Sequence, residues 1–280
     1  MEMAKLLALL SRKPDLVTSF PDWLLSSAAI DMLKKTAGVA LAEIAGRDSV
    51  AAVLAAVEEH PIKGVLPTIA YTGTEFGDWE RGVATSHFVA ERLRGHGITV
   101  FDPVFIGSPR FWWLLCGRYI SMLFSRFGFY TPCLGCHLYL HALRVPLARL
   151  TGALYIISGE RERHDGRIKI NQVPSALDAY TAFVGRFEVE FLLPLRSIHS
   201  GEAIERIVGQ EWEEGEGQLE CVLSKNYQDR NGLVTHDEAA IRRFFEEFAF
   251  PLADGVVRAY LKGEGPDFEA LAKTIHPGKD

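Results

Sequence analysis

The sequence predicts an α/β protein: a parallel five-stranded sheet with helices on both faces, plus helical appendages at the N- and C-terminal ends. Two observations lead there. Val39–Ile44 is a short apolar run, followed by the turn Gly46-Arg47-Asp48-Ser49 and the Ala-rich, helical Val50–Val57, the opening of a βαβ unit. Four further apolar runs then alternate with helical patterns, as in a sheet covered on both sides. With 48% hydrophobic and 24% charged residues in 280, the chain has the composition of a globular protein with a sizeable core.

In chain order, Met1–Lys35 carries apolar residues at helical spacing, and Phe20-Pro21-Asp22-Trp23 places a turn and an N-cap candidate in its middle. Residues 1–37 are expected to be a helical appendage that packs on the core or gates substrate. The second to fifth strands are Val65–Tyr71, Ile98–Phe101, Leu154–Ile157 and Val189–Leu193, with helices over Asp78–Leu93 and Glu202–Val208. These elements define a core domain over residues 38–210, interrupted by a helical insertion at 109–150. Residues 211–280 form a C-terminal extension: a Glu/Gly-rich loop, Glu211–Gly217, then Leu219–Leu223 and a helical tail from Asp237. Disorder is expected only at the ends, such as His276–Asp280.

The net charge of −6 counts against a large nucleic-acid footprint, since phosphate neutralisation needs a basic excess. Small basic clusters remain at Arg161–Arg163 and Arg242–Arg243. Leu6–Leu10 is too short for an export signal, and Phe111–Phe124, broken by Arg118, falls short of the ~18–20 residues of a membrane span. A cytoplasmic protein with no membrane partner is expected. Four cysteines, two of them in a C-x-x-C, point to metal or redox chemistry rather than a disulfide scaffold.

Ligands of open parallel sheets bind at the carboxyl ends of strands, near a switch in strand order. Gly46-Arg47-Asp48-Ser49 lies at such an end: amides at a helix N-terminus attract anions, Gly46 permits close backbone approach and Ser49 offers a hydroxyl. A plain capped turn is the other reading, since Asp and Ser are common N-caps. The second segment, Ser158–Gly166 with Lys169, Asn171 and Gln172 just beyond, crowds ionisable groups behind an apolar strand. The third is Thr131-Pro132-Cys133-Leu134-Gly135-Cys136-His137. Its two thiolates can grip one metal ion or two corners of a cluster, with Cys221 as a third. A closed zinc site would need a fourth ligand, which His137 or His141, at i, i+4 on one helix face, could supply. A redox pair of Cys133 and Cys136 is a further alternative, and Cys116, among Trp112, Trp113, Leu114 and Leu115, reads as core.

Over about Gly38–Val208 the chain resembles the PP-loop ATP pyrophosphatases, adenine nucleotide alpha-hydrolase-like (HUP) proteins with a Rossmann-like sheet. Ile44-Ala45-Gly46-Arg47-Asp48-Ser49 matches the second half of that superfamily's Ser-Gly-Gly-x-Asp-Ser turn, with Ile44 and Ala45 in place of the leading Ser and first Gly. Gly159 and Asp165 are similar to its Gly-x-x-x-x-Asp segment. The cysteines resemble those of iron–sulfur tRNA thiolation enzymes: a C-x-x-C between the third and fourth strands and a third cysteine far downstream. The zinc ribbons that flank some of those enzymes are absent.

The resemblance implies an ATP-dependent adenylating sulfur transferase acting on tRNA or a small substrate. It implies ATP with Mg²⁺ on Ala45, Gly46, Arg47, Asp48, Ser49, Tyr71, Thr72, Gly159 and Glu160. Arg47 and Lys169 would steady developing charge, Asp165 would bind metal or act as base, and Cys133, Cys136 and Cys221 would hold a 4Fe-4S cluster. The expected partners are ATP, the modified substrate, a sulfur donor and a second copy in a homodimer. A zinc-containing adenylating ligase and a non-catalytic nucleotide-binding protein are the alternatives.

Overall fold

The computed structural model describes residues 3–275; the His276–Asp280 tail lies outside them. In order, the elements are α1 (Met3–Arg12), α2 (Ser27–Lys35), β1 (Val39–Glu43), α3 (Arg47–Glu59), β2 (Gly64–Tyr71), β3 (Glu75–Phe76), α4 (Glu80–Arg92), β4 (Thr99–Val100) and β5 (Val104–Gly107). They continue with α5 (Pro109–Cys116), α6 (Ile120–Phe127), α7 (Pro132–Thr151), β6 (Tyr155–Ile157), α8 (Pro174–Gly185), β7 (Glu190–Leu192) and α9 (Gly201–Val208). Last come β8 (Glu220–Cys221), α10 (Glu238–Phe244), a π-helical turn (Phe245–Ala249), α11 (Phe250–Leu261) and α12 (Phe268–Ile275).

The main sheet is parallel, in the order β4-β2-β1-β6-β7, with β5 also on β2. It therefore has five positions, one filled by two short strands end to end on the same edge of β2. Pro67 accounts for the break. Val65 O accepts from Phe101 N and Thr68 O from Ile44 N, so alternate residues of β2 face opposite neighbours. Pro67 faces the β4/β5 side and has no N–H to give. Pairing runs through Val65↔Val100 and resumes at Thr68↔Val104, skipping this position. The single strand read at Ile98–Phe101 is thus β4, and its continuation β5 was not foreseen.

Residues 39–42 of β1 have no exposure, as expected of a central strand between helical layers. The chain winds outward from β1 to β2 and β4/β5, then returns past β1 to β6 and β7. The switch in strand order therefore falls between β1 and β6. Helices α5, α6 and α7 fill the insertion, and α7 leads into β6, which puts the N-terminal turn of α7 at the carboxyl edge of the sheet.

Two local details correct the sequence reading. The N-cap in the leading segment is Ser26, whose Oγ accepts from Ala29 N at 3.1 Å, rather than a residue of the Phe20–Trp23 turn. Leu219–Leu223 contributes β8, which pairs antiparallel with β3 and sets Cys221 opposite Glu75. No described helix is long and apolar enough to cross a membrane.

Candidate functional site

At the end of β1, Gly46 is the N-cap of α3, and no side chain caps it. The first-turn amides keep the open valences of a helix N-terminus, where anions are favoured. Ser49 is spent on the turn itself: Ala45 N donates to its Oγ at 3.0 Å and Oγ donates to Gly46 O at 2.6 Å. Asp48 sits between two guanidinium groups, with Arg47 Nε on Oδ1 at 3.0 Å and Arg161 Nε on Oδ2 at 2.9 Å. Both arginines are buried, and each has an NH2 without a hydrogen-bond partner. Two buried, half-satisfied cations beside a helix N-terminus suit an anion.

The loop after β6 closes against this turn. A Cβ on Gly159 would lie 2.7 Å from Asp48 C, Asp48 O and Ser49 N, so only glycine allows the approach. Gly159→Ala is expected to destabilise the protein by about 1–3 kcal/mol, as forced overpacking does. A denaturant midpoint equal to wild type would refute that.

Residues 211–218 lie over the same region. Trp212 O accepts from Arg47 NH1 at 3.0 Å, and a Cβ on Gly46 would meet Gln218 Oε1 at 3.1 Å. Glu214 reaches into the basic cluster: Lys169 Nζ donates to Oε1 at 2.7 Å and Arg167 NH2 to Oε2, with His164 Nδ1 at 3.5 Å and Arg161 NH2 at 3.9 Å. His164, with Lys169 and Arg167, holds the Glu214 carboxyl well below its usual range. Lys169 is therefore paired, and Asp165 caps the start of α9, its Oδ1 accepting from Gly201 N at 2.9 Å. Tyr71 is fully buried, its hydroxyl donating to Pro14 O, so its side chain packs and presents no open face. Thr72 Oγ1 and N donate to Glu75, whose carboxylate also accepts from Gly73 N and Thr74 N.

Thr131 caps α7 by accepting from Cys133 N at 3.2 Å, which puts Cys133 in the first helical turn with Cys136 one turn on. Cys133 Sγ accepts from Asn226 Nδ2 at 3.0 Å. Cys221 Sγ lies 3.3 Å from Thr74 Oγ1 and accepts from Leu223 N at 3.4 Å. Burial pushes the thiols of Cys133 and Cys136 up, and the Cys221 charge adds to both shifts, so the three sulfurs share one electrostatic neighbourhood. Cys116 is buried beside the pair, and burial raises it well above the ordinary thiol range. The Trp112 indole N–H faces Cys136 and favours its thiolate.

The two histidines of α7 turn elsewhere. His141 is fully buried, with Nδ1 2.8 Å from Glu43 Oε1 and Nε2 3.0 Å from Glu160 Oε1. His137 Nδ1 lies 2.5 Å from the same Glu160 oxygen, and Asn171 Nδ2 stands 2.9 Å from its Nε2. Arg144 NH1 is 3.2 Å from Glu43 Oε1. Burial opposes every charge in this group. It is outweighed at His141, raised to about 9 by Glu43 and Glu160, and at Glu160, lowered to about 2 by His137 and His141. Among the described residues, His137, His141 and Glu160 are the one set of three such ligands whose donor atoms all lie within 4.8 Å of one another. The imidazoles that a zinc clasp of three cysteines and a histidine would draw on face Glu160 rather than the thiols.

Sequence reasoning missed Glu43, Arg144, Arg161, Trp112, Asn226 and Glu214. The charge inside the apolar run of β1 is the one local signal for Glu43, and the charged loop after β6 contains Arg161. Nothing local to Trp112, Asn226 or Glu214 marks them, because their roles arise from contacts between distant segments.

No family model matches the chain. Among solved structures it is similar to the U34-tRNA thiolase NcsA from Methanococcus maripaludis with its 4Fe-4S cluster, at 13% identity and a TM-score of 0.36, over 87% of this chain and 77% of that one. No residue role is taken from so distant a likeness. The chain is also 38% identical over 267 residues to the uncharacterized protein MJ0009 of Methanocaldococcus jannaschii, covering 93% of this chain and 96% of the relative. Identity at that level along nearly the whole length of both proteins places this chain in the family of MJ0009.

Proposed function

We propose that the protein is an ATP-dependent adenylating sulfur transferase, acting on tRNA or a small substrate. The observation that carries this reading is that Asn226 Nδ2 bridges Cys133 Sγ and the Leu223 carbonyl while Leu223 N donates to Cys221 Sγ, beside a parallel sheet whose switch point ends in a helix N-terminus that no side chain caps. ATP would lie across the ends of β1 and β6, its phosphates on the amides of Gly46–Asp48 and the unsatisfied guanidinium nitrogens of Arg47 and Arg161. A substrate carbonyl oxygen attacks the α-phosphorus, pyrophosphate leaves, and Arg47 and Arg161 offset the charge that develops. The adenylate is then open to displacement of AMP by sulfur.

The thiols suit a 4Fe-4S cluster. They are three, they lie near one another without converging on a single point, and burial raises Cys133 and Cys136 so that these two stay protonated unless a metal supplies positive charge. Such a cluster would leave one iron without a protein ligand and supply sulfur chemistry there. Anaerobic purification tests it. A brown protein with broad absorbance near ~400 nm and bound iron and sulfide is the expected result; a colourless, iron-free protein would overturn the assignment. Pyrophosphate release from ATP with candidate substrates tests adenylation separately.

The non-catalytic reading draws on Glu214, which pairs with Arg167 and Lys169 and stands 3.9 Å from the Arg161 nitrogen that phosphates would use. Under the enzymatic reading that contact opens when ATP binds. Glu214→Gln is then expected to tighten ATP binding about tenfold, a change of about 1.4 kcal/mol, measurable by calorimetry. Unchanged or weaker affinity would mean that the cluster is not the phosphate site.

A further inference from the structure

We propose that His137, His141 and Glu160 form a binding site for one divalent cation of the zinc class, distinct from the thiol site and from the Mg²⁺ that accompanies a nucleotide. Two imidazoles and one carboxylate suit zinc, iron(II), cobalt(II) or manganese(II), whereas Mg²⁺ takes oxygen ligands and keeps its waters. The histidines lie one turn apart on α7 and Glu160 comes from the loop after β6, so two elements meet at the switch point to build the set.

The donor atoms converge as the ligands of one ion do. His141 Nε2 stands 3.0 Å from Glu160 Oε1 but makes no hydrogen bond, and Glu160 Oε2 is buried with no partner. Buried polar atoms are rarely left this way, because each forfeits its hydration. A cation about 2.0–2.2 Å from each donor would satisfy the imidazole nitrogens and Oε1, and Oε2 as well with the Glu160 carboxylate bound through both oxygens. The outer contact of His141 agrees: it turns Nε2 to Glu160 and holds Nδ1 against the Glu43 carboxylate, which is itself steadied by Arg144, as metal-bound histidines do. At His137, Nε2 faces the Asn171 side chain, whose amide presents an acceptor to a metal-bound imidazole once its oxygen is turned inward.

The rival occupant is a proton on His141, clamped between Glu43 and Glu160. That proton balances charge but leaves Glu160 Oε2 unpartnered, and it does not explain why a second imidazole converges on the same oxygen. Three protein ligands leave a coordination position for water or a substrate oxygen. The His137 side chain, 26% exposed beside the buried other two, marks the side from which it is reached.

Chelator-treated, full-length protein is titrated with cobalt(II) chloride. The expected result is one equivalent of bound cobalt with ligand-field bands and no sulfur-to-cobalt charge-transfer band, retained when Cys133 and Cys136 are both replaced by serine. Glu160→Gln and His137→Gln are expected to weaken binding by about 100-fold or more, and Glu43→Gln by about tenfold through loss of the outer carboxylate. Far-UV circular dichroism confirms folding of each variant, and the wild-type spectrum needs no variant at all. Absence of a sulfur-free cobalt site in the wild type, or equal affinity in the folded Glu160→Gln protein, would overturn the proposal.

Discussion

Replacing Cys133 or Cys136 with alanine is expected to strip iron and sulfide from anaerobically prepared protein, while Cys116→Ala retains the wild-type content. The difference is one of position rather than burial. Cys133 lies in the first turn of α7, where helix-end amides and Asn226 favour a thiolate, and Cys136 follows one turn later under Trp112. Cys116 ends α5 in the core, and its thiol is pushed well above its ordinary range by burial and then by Cys136 and Cys133. Cys221→Ala is expected to lower metal retention as strongly as the pair does, because β8 hangs on β3 beside the thiols and Thr74 aims at its sulfur. Equal iron content in the Cys116, Cys133 and Cys136 variants would discard the thiol site.

Asp48→Ala should be the most damaging single change at the phosphate turn. Its carboxylate is shared by Arg47 and Arg161, whose side chains are 4% and 0% exposed. Removing it leaves two buried guanidinium groups facing each other with one partner gone, a loss of about 3–5 kcal/mol for a broken buried pair. At roughly 2–4 °C per kcal/mol for a chain of this size, the melting temperature should fall by about 6–20 °C. Asp48→Asn keeps the shape and two acceptor lone pairs, and should recover part of the loss. ATP binding is expected to weaken as well, since the guanidinium groups lose the group that orients them. A melting temperature within a degree or so of wild type would show that Asp48 is not the clamp (about 0.5 kcal/mol or less); unchanged ATP affinity would move the phosphate site elsewhere.

How far the molecule could be read in advance varies along the chain. The β1–turn–α3 unit was legible because an apolar run, a glycine and an alanine-rich helix are consecutive. The β4/β5 edge was not, because a break opposite Pro67 depends on the register between strands far apart in sequence. Cys133 and Cys136 announce themselves by spacing, and so do His137 and His141. The spacing does not say which pair shares a site with what: both histidines face the same helical side, yet both point to Glu160 rather than to the thiols. Lys169 and Asp165 stood out as charges behind a strand, and their partners, Glu214 and the start of α9, come from later segments.

Sequence alone was enough for the alternation of strands and helices, the turn at Gly46–Ser49 and the pairing of Cys133 with Cys136, since each is written in local periodicity or spacing. Tertiary structure decided the strand order, which placed the switch point between β1 and β6, and with it the meeting of Glu43, His141 and Glu160. It also brought Glu214 into the basic cluster and Asn226 to Cys133. The reason is physical: hydrogen-bond ladders and apolar faces are dictated residue by residue, whereas a buried charge finds its partner only after the layers have packed.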